Sequence, residues 1–371
     1  MSDIVTLLVN GAEYSGWLDV QVEASLGSLC RAASVTATRM PGDRDLTEGI
    51  SVGDAVEVRI GGDTVLTGYV TGKSTGYGAE DISVSVSVKS RTVDLVECQF
   101  PDGSPHQWAK PVAVNSLIST LCGFYGVEAV FSQPNGTATF QADMDQSVGD
   151  CIVKILRDRS LLVTDDEQGR VVVAKAGQAG LSGTVIATGV NVLSADRSES
   201  SADVYEKTIV LGQAANPDSN VKNGNSLKAI ATNPGCRGRT KVLVQSGNRK
   251  LSELNARAQN LMLNAIGNAD KVSYELQGWR QQNGALWRPN LLVHVRDSYF
   301  DIDQTLLVSK VDFSISDSGT TTKLDLISPD AFLVTDLPDQ EKAQAKAKTT
   351  ANKSKGKSGY TFLAKKGSGA L

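Results

Sequence analysis

The order of elements across residues 51–96 recurs across residues 287–334, and few folds accommodate such a pair. The early segment reads SVGDAVEVRIGGDTVLTGYVTGKS, breaks at a Gly-rich turn and resumes as ISVSVSVKSRTVDLV. The late one reads WRPNLLVHVRDSYFDIDQTLLVSKVDFS, breaks at a Ser/Gly turn and resumes as TTTKLDLISPDAFLV. Each opens on a turn dipeptide (Gly53-Asp54 or Pro289-Asn290) and enters a strand. Each returns through a hairpin partner at residues 66–70 or 307–311 and closes on a third strand ending at Ser90 or Ser328. The order matches and the identities do not. Unrelated β-meanders also share such an order, so the test is whether residues 1–97 and 195–335 superpose. A true duplication gives one chain two similar β-domains, and three chains closed in a ring then present six quasi-equivalent domains about one axis.

Strand patterning dominates the first hundred residues. Residues 4–9, 17–26, 55–60, 65–71 and 82–88 carry β-branched side chains or period-2 alternation, separated by NG, PGD, GG and GYG breaks. The run ISVSVSV is the plainest, with Val84, Val86 and Val88 on one face and Ser83, Ser85 and Ser87 on the other. After Pro105 the period changes. Val114, Leu117, Ile118 and Leu121 have helical spacing, as do Val148, Cys151, Ile152, Ile155 and Leu156 behind an N-cap at Asp145 or Ser147. A hairpin follows in SLLVTDDEQGRVVVAKA, turning at Asp165, Asp166 and Gly169. Leu251, Leu254, Ala258, Leu261 and Ala265 place an amphipathic helix over residues 248–265, ending near Gly267.

The fold class expected is therefore mainly β with α+β insertions. It comprises a first small β-barrel domain (1–97), an α+β module (98–182) and a second, related β-barrel domain (183–335). The second barrel carries a long loop at 213–225 and the inserted helix, and a flexible Lys/Ala-rich tail occupies 336–371. Within that tail Tyr360, Phe362 and Leu363 form an apolar island, read as disorder or as a short docking motif.

Charge and cysteine usage exclude several function classes. The net charge of -4 divides into +5 for residues 336–371 and -9 for residues 1–335, so the body is acidic and unsuited to gripping nucleic acid. Five widely spaced cysteines, none in a CxxC arrangement, argue against a disulfide framework or a zinc site. The N-terminus lacks a basic region followed by an apolar run, and no window approaches a membrane span; the expectation is a protein kept in a reducing cytosol with no stable membrane insertion.

Candidate chemistry fails position by position. Gly72-Lys73-Ser74-Thr75 resembles the end of a phosphate loop, but Thr67 stands where its first glycine belongs and the tetrapeptide leaves a strand without opening a helix. His106 and His294 lack ligand or triad spacing. Asp43 and Asp45, Asp165-Asp166-Glu167, and Asp301 and Asp303 read as solvated turns. Trp279 and Trp287 are read first as core, with sugar stacking as the other option. No catalytic, cofactor or metal residue is assigned. The structural or interface candidates are Trp279, Trp287, Pro289, Asn290, Gly53 and Asp54.

The run GWRQQNGALWRPNLLVHV at 278–295, with LLVSKV soon after, LTGYV and SRTVDLVEC earlier, and GFYGV at 123–127, resembles the baseplate hub proteins of Mu-like tailed bacteriophages. The resemblance spans nearly the whole chain in the same order and leaves out the Lys/Ala tail. It implies a non-enzymatic virion protein: a homotrimeric hub with two β-barrel domains per subunit, lying between a hexameric tail tube and a trimeric central spike. It further implies contacts to neighbouring baseplate proteins, a channel that DNA traverses without specific binding, and assembly in the host cytoplasm. Two other classes stay open, a tail-associated cell-wall hydrolase built on convergent carboxylates and a glycan-binding adhesin module built on exposed Trp279 or Trp287.

Overall fold

The alternation at residues 82–88 becomes a strand with its valines buried and its serines on the opposite, more exposed face. This computed structural model describes residues 3–40, 47–79, 81–143, 145–157, 159, 161–213, 226–248, 250–316 and 319–332. The expectations for Asp43, Asp45, the loop after Gln213 and the Lys/Ala tail lie outside them. The described chain forms two compact units, residues 3–199 with 270–332 and residues 200–269.

The first unit begins with strands β1 (Val5–Val9), β2 (Ala12–Tyr14), β3 (Asp19–Ser25), β4 (Ala32–Arg39), β5 (Ala55–Ile60), β6 (Asp63–Tyr77) and β7 (Ile82–Ser90) and one turn of helix, α1 (Val93–Glu97). The turn between β1 and β2 is Asn10-Gly11, both with positive φ, the geometry a two-residue hairpin requires. An α+β module follows: β8 (Gln107–Ala113), α2 (Val114–Gly123), β9 (Ala129–Phe131), β10 (Thr137–Gln141), α3 (Val148–Arg157), β11 (Leu162–Asp165) and β12 (Val171–Ala174). Ser147 caps α3, its Oγ accepting the Asp150 amide at 3.0 Å. Leu117, Ile118 and Leu121 of α2 meet Cys151, Ile152 and Ile155 of α3, and Leu29 and Leu95 from the β-region complete that core.

After β13 (Ile186–Ala187) and β14 (Val192–Glu199) the chain builds the second unit from β15 (Lys207–Gln213), β16 (Ser226–Thr232), β17 (Thr240–Asn248) and α4 (Leu251–Ala269). Its sheet runs β16-β15-β17, and Leu254 and Ala258 of α4 pack on Val210, Ala229 and Ala231. The helix expected over 248–265 extends to Ala269 because Gly267 is buried within it and keeps helical geometry instead of turning the chain. On the face away from α4, Ile230, Val242 and Val244 are exposed.

The chain then returns to the first unit as β18 (Asp270–Gln277), β19 (Leu292–Asp297), β20 (Ile302–Ser316) and β21 (Gly319–Ile327). The two β-regions form one thirteen-stranded sheet in the order β14-β18-β21-β20-β3-β4-β7-β6-β5-β1-β2, with β19 and β13 paired beside β20. The join is antiparallel, β20 from Lys310 to Ile315 against β3 from Ser25 to Val20. Val20 and Val22 share one apolar core with Val311 and Phe313. Mainly β architecture is thus present, but no closed barrel is found among the described residues: β14 and β13, at the two ends of the late strands, do not pair with each other, and β20 between them also joins the early region through β3.

Gly68 sits where β6 crosses closest to β7: a Cβ there would lie 1.8 Å from the Lys89 carbonyl oxygen and 2.6 Å from the Ser90 Cα. Gly68→Ala should therefore destabilise the fold by at least ~2 kcal/mol in denaturant unfolding. Gly72→Ala, whose Cβ would meet only the Ser87 side chain at 3.6 Å, should stay within ~1 kcal/mol of the parent.

Candidate functional site

Among the described residues no convergent reactive cluster marks a site, and the most distinctive feature is the internal repeat. The strands β5, β6 and β7 have 6, 15 and 9 residues, and so do β19, β20 and β21. Gly53 N donates to Val70 O at 2.8 Å and Val70 N to Asp54 O at 2.9 Å; Asn290 N donates to Val308 O at 2.9 Å and Val308 N to Leu291 O at 2.8 Å. A bulge follows at once in both copies, between Val70 and Gly72 and between Val308 and Lys310. Val70 lies opposite Val88 as Val308 lies opposite Leu326, which carries Ser90 onto Ser328. The neighbours repeat as well, β3-β4-β7-β6 matching β14-β18-β21-β20.

This register displaces the turn pairing by one residue. Gly53 matches Asn290 and Asp54 matches Leu291, because the shared requirement is a positive φ, 95° at Gly53 and 70° at Asn290. Asn adopts that region more readily than other residues with a side chain. Here it also accepts from Gly177 N at 2.7 Å through Oδ1 and donates to Lys175 O at 2.9 Å through Nδ2. Asp54 Oδ2 accepts the Ser51 amide at 2.7 Å, and Pro289 is buried beside Asn290.

The stretch 278–295 is wedged into the shared core. Trp279 is 3% exposed and its Nε1 donates to the carbonyls of Ser314 and Thr321; Trp287 is 4% exposed. Neither indole offers a face to a sugar. Between them Arg280 reaches the early β-region, its Nε 2.7 Å from Asp3 and its Nη1 2.7 Å from Asp63.

The sheet face opposite the core is polar. One row across it reads Thr321, Ser314, Gln21, Ser34, Ser87. The adjacent row is mostly charged, Glu275, Lys323, Asp312, Glu23, Ala32, Lys89, and Lys310 Nζ lies 3.1 Å from both of the neighbouring carboxylates Glu23 and Asp312. Over β3, β14, β18, β20 and β21 this face carries Asp19, Glu23, Asp196, Glu275, Asp312 and Asp325 against Lys271, Lys310 and Lys323.

The remaining candidates fall elsewhere. Lys73 Nζ donates to the carbonyls of Thr47 and Ile50, so its ammonium is held within the chain. His294 Nε2 lies 3.0 Å from Asp303, and His106 stacks on Phe100 with ring centroids 4.9 Å apart. Among the described residues no group of three or more His, Cys, Asp or Glu is placed to hold a metal. The acidic hairpin turn needs correction: Asp165 and Asp166 are buried rather than solvated. Asp165 meets Arg31 through Nε at 3.2 Å and the Arg31 backbone N at 2.9 Å, and Arg31 also bonds Glu167 and Val65 O. Burial pushes the Asp165 carboxyl up to about 6, against the pull of Arg31. This pair fastens the module to the β-region.

Three family descriptions match successive parts of the chain. They are Mu phage baseplate assembly protein GpP-like, N-terminal, over residues 4–90; baseplate hub protein gp44-like, second domain, over 92–175; and Mu phage baseplate assembly protein GpP, fourth domain, over 251–335. Baseplate hub protein gp44 of Escherichia phage Mu is 30% identical over 347 residues, 90% of each chain. The chain belongs to the Mu-type baseplate hub family. The 43 kDa tail protein of prophage MuSo2 from Shewanella oneidensis has the same fold, with a TM-score of 0.79 at 25% identity over 89% of this hub chain and 100% of that one. The tail protein of Neisseria meningitidis MC58 follows at 0.77 and 20% identity, covering 90% and 100%. As a phage baseplate component, the hub chain is part of a virion.

Asn290→Ala should cost ~2–4 kcal/mol, combining the lost side-chain hydrogen bonds with a strained φ, and Asn290→Gly roughly 1 kcal/mol less; paired denaturation curves check the order. Arg31→Met, which leaves Asp165 buried without its counter-charge, should cost ~3–5 kcal/mol. Adding Asp165→Asn to that variant should return part of the loss.

Proposed function

We propose that this hub chain forms a homotrimeric ring with pseudo-sixfold symmetry that joins a hexameric tail tube to a trimeric central spike and leaves a channel for DNA. The observation that carries the reading is the repeat in register: the Gly53–Val70 and Asn290–Val308 hydrogen bonds and the bulges after them place two equivalent four-strand units in one rigid sheet. Three chains then offer six equivalent units to a sixfold partner while keeping threefold symmetry for the spike.

The polar sheet face fits the wall of the channel. Its hydroxyl row binds water, and its surplus of carboxylates over lysines repels the phosphate backbone, so DNA passes without a specific contact. The α+β module would then lie at the periphery, facing neighbouring baseplate proteins. In this reading the chain has no catalytic step of its own, and assembly takes place in the host cytoplasm. Trp279, Trp287, Pro289, Asn290, Gly53 and Asp54 act as the internal frame that holds the two units equivalent.

Native mass spectrometry of the protein alone and mixed with its spike and tube proteins should give a species of three times 39.2 kDa. A ring that forms only in the mixture agrees with the reading, since partners stabilise the state they bind. A stable dimer, or a chain that stays monomeric with both partners present, overturns it.

A further inference from the structure

The three-strand sheet of the second unit has a helix on one face only. α4 packs on Val210, Ala229 and Ala231. On the other face the row Ile230, Ile209, Val242 crosses all three strands, with Leu211 and Val244 side by side in the next row. Ile230, Val242 and Val244 are 50%, 56% and 76% exposed, and Ile209 and Leu211 are half-buried. A single exposed aliphatic side chain needs no explanation, but five in neighbouring cross-strand positions form the kind of patch that marks an interaction surface. The central strand carries the same signal in its sequence. Ile209-Val210-Leu211 lacks the alternation of a strand that is wet on one side, and β15 pairs parallel with β17, an arrangement ordinarily covered on both faces.

Charge selects what can cover it. Lys207 adjoins the Ile209 row along β15, and Lys228 stands opposite Leu211 on β16; both are exposed. Lys207 Nζ is 3.7 Å from Glu206, too long for a hydrogen bond. Among the described residues, the strand positions of this face hold no carboxylate. The imbalance extends to the whole unit: residues 200–269 contain nine Lys and Arg against four Asp and Glu, so the -9 of residues 1–335 divides into +5 here and -14 elsewhere. Residues 336–371, at +5, carry the same sign as the face and are poorly matched to it.

We infer that this face is a docking surface for an acidic amphipathic helix of another baseplate protein, its aliphatic stripe seated on the Ile209 row and its flanking carboxylates on Lys207 and Lys228. Such a helix completes from outside the layering that α4 begins, a sheet with a helix on each face. Aliphatic residues three and four apart supply the stripe, and acidic residues beside it meet the lysines. The apolar centre holds the contact, while the lysines at its rim steer the partner and discriminate against basic ones, more strongly at low salt. The contact uses residues of the second unit alone, so it stands whether or not the ring proposed above forms.

The test uses the full chain in assembled particles. A benzophenone amino acid replaces Val244, the most exposed of the three, and after irradiation the crosslinked peptide is identified by mass spectrometry. The expected product joins the hub chain to a different protein, within a helical segment that carries Asp or Glu beside aliphatic residues three and four apart. Lys207→Glu with Lys228→Glu in the same background should lower the yield roughly tenfold, whereas Lys207→Arg with Lys228→Arg should retain it. Loss of the charge-reversed hub from particles supports the inference in the same way, provided the purified variant keeps the parent melting temperature and the arginine variant is still incorporated. A crosslink to a second hub chain, to DNA or to a segment without acidic residues overturns the inference. So does a particle that contains the hub and gives no crosslink, or a yield that charge reversal leaves unchanged. None of these results bears on the three-copy mass, which tests the ring separately.

Discussion

Six residue pairs between β20 and β3 hold the two β-regions in one sheet, and the rest of the first unit is arranged around them. Their core side carries Val311 against Ala24, Phe313 against Val22 and Ile315 against Val20. A fully buried side chain of this kind contributes roughly 1.5–3 kcal/mol, so the seam is an extension of the core rather than a contact between separate domains. The wedge at residues 278–295 secures it from the side: Trp279 is tied to the carbonyls of Ser314 and Thr321, and Arg280 to Asp3 and Asp63. With the seam locked in this way, the relation between the two repeats is fixed by the chain itself.

Local chemistry made much of this legible. The valine and serine alternation of β7, its end at Ser90, and the helical spacing in α2 and α3 all follow from side chains near in sequence, and each recurs in the structure, while β21 stops at Ile327, one residue before Ser328. The dipeptides Gly53-Asp54 and Pro289-Asn290 are offset by one residue because the shared property is backbone conformation rather than dipeptide chemistry; Gly and Asn meet it by different means. Arg31 gave no signal at all. It lies between a cysteine and an alanine and acquires meaning only from Asp165, 134 residues away. Asp165 itself looked like any turn acid.

The two repeats share their hydrogen bonds and differ in their side-chain identities. The bonds from Gly53 and Asn290 to the facing valines persist, as does the bulge beside each, while the residues around them differ almost everywhere. Backbone geometry is what a repeated strand unit must conserve to present the same outline twice. Side chains are free to diverge as long as one face stays apolar and the other polar. Chain order breaks the equivalence: the α+β module follows the early repeat, and residues 200–269 interrupt the late one between β14 and β18.

Because β3 is near the start of the chain and β20 near its end, roughly 285 residues must be synthesised before the two can meet. Pairing over such a separation is slow, since the loop entropy is lost before the contact repays it. Until then the nascent early region has β3 bare on one side, flanked by valines, and is exposed to capture by other unfinished chains. Completion of β20 is thus the step that retires the hazard. The repeat that arrives last acts as a built-in chaperone for the one that arrives first.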